Sequence, residues 1–72
     1  LDPAASIQVR YEVANLRAGL QRDFLNDPTK ALELYRLALV HLESLKDVFG
    51  LENYDAQKTF VEAQIKELEK RD

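Results

Sequence analysis

The tripeptide Asn26-Asp27-Pro28 stands in a chain with few other places to stop a helix: the remaining proline is Pro3, and the two glycines are Gly19 and Gly50. Proline disfavours the α conformation in the residue before it, so a helix running from about Ala4 to Leu25 has to end here. The same residues start the next helix. Asp27 is a good N-cap, and Pro28 fits the first helical position, where its missing N–H costs nothing. A second helix is expected over about 28–49, with Gly50 as its C-terminal stop. Leu51 to Tyr54 read as a short connector, and Asn53 or Asp55 as the cap of a third helix over about 55–71. Short links make successive helices antiparallel neighbours. The expected fold is therefore all-α, an antiparallel up-down-up three-helix bundle forming a single domain over residues 1–72.

Apolar periodicity says how many neighbours each helix must satisfy. At about 100° per residue, Ala31, Tyr35, Ala38, Leu42, Leu45 and Phe49 form one stripe on the second helix. Leu34, Leu37, His41 and Val48 flank it on one side, Leu32 and Leu39 on the other. An arc this wide has to meet two helices, or one helix and a ligand. The first helix carries two stripes. Val9, Val13, Leu16, Leu20 and Phe24 make the strong one, expected to be the core face; Ile7, Tyr11, Ala14, Ala18 and Leu25 make a weaker one almost opposite. On the third helix Tyr54, Val61, Ile65 and Leu68 lie on one side and Ala56, Phe60 and Ala63 on another, with Gln57 and Gln64 at the seam.

Composition limits the function classes. The 72 residues include no cysteine, which removes disulfides, thiolate metal sites and a thiol nucleophile, and suits a reducing compartment. With 46% hydrophobic residues a core is expected, yet a domain of this size buries only about 60% of its unfolded surface and is marginal alone. No apolar run approaches the roughly 18 residues of a membrane span, so no direct membrane insertion is expected, and the N-terminus lacks a signal-peptide pattern. Because the chain begins at Leu1, it reads as a piece of a longer protein. A net charge of −3 argues against nucleic acid as the main partner, and although Arg10 and Arg17 share a face, acidic residues surround them.

Catalytic hardware is sparse, and the expectation is a protein that is not an enzyme, with no cofactor and no metal. The single histidine, His41, has Leu37 and Leu45 at its i−4 and i+4 positions, which suits a packed residue better than a general base. Ser6 reads as a cap near the first helix, and neither it nor Ser44 has a base or a glycine-rich elbow. Glu62 to Lys66 and Glu67 to Arg71 have the spacing of surface ion pairs. What remains is recognition of another polypeptide, because apolar residues occupy more helix faces than a three-helix core requires.

The run DPTKALELYRLALVHLESLKD, Asp27 to Asp47, resembles the middle helix of microtubule-interacting and transport (MIT) domains, where alanine, leucine, x, leucine, tyrosine, two residues, alanine and leucine follow a short turn. Ala31, Leu32, Leu34, Tyr35, Ala38 and Leu39 match that pattern, and the total length and a third helix ending in IKELEKR also fit. The first helix departs from the family in lacking an alanine-rich lead into an aspartate-glycine turn.

The resemblance implies a non-catalytic adaptor that binds short motifs near the C-termini of membrane-remodelling (ESCRT-III) subunits. Such domains use the groove between second and third helices for a helical motif, or that between first and third for an extended one. On this chain the resemblance implies apolar pockets from Val61, Ile65 and Leu68, acidic contacts from Glu62, Glu67 and Glu69, and a second-helix wall of Leu34, Leu37, His41 and Val48. The expected partner is a protein or peptide with a basic, leucine-containing amphipathic motif. The expected location is cytoplasmic, with recruitment to endosomal or other membranes through partners. The alternative is an oligomerisation or scaffold bundle of another family, self-associating or a helical-repeat fragment.

Overall fold

A computed structural model describes residues 3–71, with side chains described over 6–70. It contains three main helices and one extra turn: α1 (Pro3–Asp23), α2 (Pro28–Ser44), α3 (Lys46–Phe49) and α4 (Leu51–Arg71). The Arg71 side chain, and with it the Glu67 to Arg71 pairing, lies outside the described residues.

The break at 26–28 forms as its residues dictate. Asp27 Oδ1 accepts a hydrogen bond from the Lys30 N–H at 3.0 Å, capping α2, and Pro28 occupies its first turn. Asn26 turns the chain with φ of 50°, a left-handed conformation that asparagine tolerates better than most residues. Helix α1 stops at Asp23, leaving Phe24 and Leu25 in the turn. Ser6 lies inside α1, so it is no cap.

The second junction differs from expectation. At Leu45 the helix tightens, with the Leu45 N–H donating to the Leu42 carbonyl at 2.9 Å, and then continues for the single turn α3. Gly50 has φ 79° and ψ 157°, a region open essentially to glycine, and reverses the chain in one residue. Helix α4 begins at once: the Tyr54 N–H donates to the Gly50 carbonyl at 2.9 Å. Leu51 to Tyr54 are thus helix rather than connector, and Asn53 and Asp55 lie within α4 rather than capping it.

Cross-helix contacts establish the up-down-up order. Arg22 lies over the Tyr35 ring and Tyr11 meets Phe49 edge-on at 6.1 Å, so α1 and α2 run in opposite directions. Tyr54 bonds Glu43 while Glu69 pairs with Arg36, which makes α4 antiparallel to α2 as well. Tyr11 bonds Gln57 and Arg22 bonds Gln64, so α1 and α4 are parallel. Helix α2 packs against both others, as its wide apolar arc requires.

The core face of α1 is the reverse of the one expected. Tyr11, Ala14 and Ala18 are buried, whereas Val9, Val13, Leu16, Leu20 and Phe24 are exposed, Leu16 by 66% and Phe24 by 79%. Two physical causes act together. Ala14 and Ala18 face a helix whose own Ala31 and Ala38 are completely buried, so small residues on both sides let the axes approach closely. The strong stripe is also hemmed by charge: one helical step away lie Glu12 and Asp23 on one side and Arg10 and Arg17 on the other. From Ala14 through Tyr11 to Asn15 the surface carries no carboxylate, so α1 can turn that arc to two neighbours without stranding an acid.

Candidate functional site

Turning the strong stripe outward leaves α1 with a groove along each flank. The groove between α1 and α4 encloses about 400 Å³. Asn15, Leu16, Gly19 and Leu20 form its α1 wall, continued by Phe24 in the turn, Phe60 its α4 wall, and Tyr35 of α2 reaches its floor. Phe60 is 51% exposed, although it shares a helix with the fully buried Val61 and Leu68. Gly19 belongs here for its missing side chain: a Cβ at that position would meet nothing within 4 Å, so the wall is open there.

Charges around this groove are partly consumed internally. Arg22 holds Asp23 through two hydrogen bonds, Nε to Oδ1 at 2.8 Å and a terminal nitrogen to Oδ2 at 3.0 Å, and also bonds Gln64. The Asp23 hydrogen bond is the main reason the guanidinium is held above its ordinary pKa; burial opposes it, and the fields of Tyr35, Asp23 and Glu67 add to it. With Arg22 engaged, the balance at the rim is acidic, since Glu12 lies one turn from Leu16 and Glu67 shares the face of Phe60. Beneath them, burial raises the Tyr35 phenol and Arg22 counters it. Asn15 Oδ1 is buried and has no hydrogen-bond partner, an uncommon state for a carbonyl oxygen.

The second groove runs between α1 and α2 and encloses about 240 Å³. Val9, Val13 and Ala14 face Leu34 and Leu37 across it, with Arg10, Arg17 and His41 along its edges. No carboxylate lines it. A third depression, over Phe49 to Asn53 and Ala56, is a little larger at about 500 Å³, but it is formed around a single turn and has no opposing wall.

The residues expected to form a site do not come together as one surface. Val61 and Leu68 are 0% exposed and belong to the core, so neither lines a surface pocket; Ile65 is half-buried against them. The groove expected between second and third helices therefore has its apolar floor already filled by the bundle itself. Glu62, Glu67 and Glu69 are exposed, and Glu69 pairs with Arg36 at 3.3 Å. Leu34, which is buried, joins Leu37 and His41 on the α1 side of α2, not the α4 side. Val48 stands exposed on α3, apart from the other three. Leu16, Leu20, Phe24 and Phe60 were missed as surface residues. The charges bordering the α1 stripe were the signal that could have found the first three; Phe60 on α4 had no such signal.

Among the described residues no group of three or more His, Asp or Glu side chains is placed to hold a metal ion, and no described helix is long and apolar enough to cross a membrane. No family model, no curated protein and no solved structure matches the chain.

Proposed function

We propose that this chain is a non-catalytic peptide-recognition module of the MIT type, and that it takes a short apolar segment with basic flanks in the groove between α1 and α4. The single observation that carries this reading is the pair of facing apolar walls, Leu16, Leu20 and Phe24 against Phe60, left open to solvent in a chain small enough to need its apolar surface inside. The resemblance of Asp27 to Asp47 to the MIT middle helix supports it, and so does the place of the groove between first and third main helices. Exposed Glu12, one turn from Leu16, suits a lysine- or arginine-bearing motif such as those of ESCRT-III tails.

Fluorescence anisotropy with a labelled leucine- and lysine-containing peptide tests the reading. Leu20→Asp and Phe60→Asp should each abolish binding while circular dichroism remains helical. Undiminished binding in both variants would remove the α1/α4 groove from consideration.

A second reading is favoured by the 4-3-4 spacing of Val9, Val13, Leu16 and Leu20, the spacing of a coiled-coil seam. It makes α1 a self-association surface. Sedimentation separates the two: a monomer that binds peptide supports recognition, and a tight dimer that loses peptide binding supports self-association.

A further inference from the structure

The groove between α1 and α2 has a chemistry opposite to that of its neighbour. Its floor is aliphatic, from Val13, Leu34 and Leu37, and its edges carry Arg10 and Arg17 with no carboxylate in the lining. Both arginines are exposed, and no ion pair engages either among the described residues. On the α2 side, Lys30 lies one turn before Leu34 and Glu33 one turn before Leu37, both exposed and both outside the lining, so the groove's cations are those of α1. This concentration of cations occurs in a chain whose net charge is −3.

We infer that the α1/α2 groove is a second docking surface, distinct from the α1/α4 groove, and that its occupant is an acidic amphipathic helix of another protein. Leucine-type side chains of that helix would enter between Val13 and Leu37, while its flanking glutamates or aspartates would meet Arg10 and Arg17. An arginine pair separated by seven residues lies on one side of a helix two turns apart, which matches acids spaced seven apart on a partner packed alongside. The floor argues against nucleic acid. It has aliphatic side chains and no aromatic platform on which a base would stack. The two grooves flank α1 from opposite sides, so the module would read a basic segment on one flank and an acidic one on the other.

The test uses the whole chain and two synthetic helical peptides with the same leucine stripe, one flanked by glutamates and the other by lysines, with amide chemical-shift mapping and titration. The glutamate-flanked peptide should shift the amides of Val13, Leu37 and His41, leave those of Gly19 and Phe60 in place, and bind more weakly as salt is raised. The double variant Arg10→Glu/Arg17→Glu should weaken that peptide by about tenfold or more and strengthen the lysine-flanked one; circular dichroism checks that it stays helical. Leu37→Ala, which leaves every charge in place, should weaken the glutamate-flanked peptide and leave lysine-flanked binding in the α1/α4 groove unchanged. Equal affinity for the two peptides as read at Val13, Leu37 and His41, glutamate-peptide binding unchanged by the double reversal, absence of shifts at these residues, or a dimer that covers Val13 and Leu37 would each overturn the inference. Because the shifts are read at separate residues, loss of binding in the α1/α4 groove would leave this result interpretable.

Discussion

The hydroxyl of Tyr11 on α1 donates a hydrogen bond to Gln57 Oε1 on α4 at 2.8 Å, while the Tyr11 ring packs edge-on against Phe49. One side chain thus joins α1 to the far end of the α2–α3 segment and to the parallel helix beside it. Only 3% of Tyr11 is exposed. Tyr11→Phe should cost about 1 kcal/mol, the loss of one net hydrogen bond. Tyr11→Ala should cost about 3–5 kcal/mol, comparable to the whole stability of a domain this small. Urea denaturation should show a shifted midpoint for the first and little folded protein for the second.

Leu68→Asp is a core substitution. Leu68 is 0% exposed and part of the cluster that includes Leu42, Leu45 and Val61, so a carboxylate there must be buried without a partner or leave the core by unfolding. Loss of the helical circular-dichroism signal is expected. Leu16→Asp, on the exposed stripe of α1, should leave that signal and the urea midpoint nearly unchanged.

The Tyr54 phenol donates to a Glu43 carboxylate oxygen, which, together with burial and the fields of Glu43, Asp55 and Glu62, pushes its pKa from 10.0 up to about 12. The folded chain therefore holds this proton more tightly than the unfolded one. Its contribution to stability is complete below about pH 10 and is lost as pH rises through about 12. Burial raises Tyr11 and Tyr35 in the same direction. The urea midpoint should fall between about pH 10 and pH 12, and Glu43→Gln should reduce the fall without removing it. A midpoint that rose over this range would contradict the linkage.

Asp27 caps α2 through the Lys30 N–H at 3.0 Å. Asp27→Ala should destabilise by about 1 kcal/mol, and Asp27→Ser should recover much of it, because serine offers an equivalent acceptor. Thermal melts of the three proteins would measure the difference.

Most of the fold is legible along the chain. Asn26-Asp27-Pro28 ends one helix and caps the next through local geometry alone, and the wide apolar arc of α2 requires two neighbours wherever they lie. Gly50 is legible as a stop; that α4 would start at the very next residue is not, because it depends on a φ of 79° that glycine permits without requiring. The candidate site was legible in smaller part. Leu37 and His41 line the α1/α2 groove, which is neither of the grooves the resemblance implied, and Val61 and Leu68 are interior, because periodicity assigns residues to a face without saying which helix covers that face.

The sequence by itself determined three main helices, the break at Asn26-Asp27-Pro28 and the chemistry of each face, since these follow from backbone conformation and a 100° repeat within one segment; the tightening at Leu45 and the immediate start of α4 did not follow from it. Which face of α1 turns inward was decided only when the helices met. A stripe of Val9, Val13, Leu16, Leu20 and Phe24 is more apolar than one of Tyr11, Ala14 and Ala18, but hydrophobicity is only one term in packing. Close approach to Ala31 and Ala38, a hydrogen bond from Tyr11 to Gln57, and the need to keep Glu12 and Asp23 in water are properties of pairs of helices, and together they left the more apolar face open to solvent.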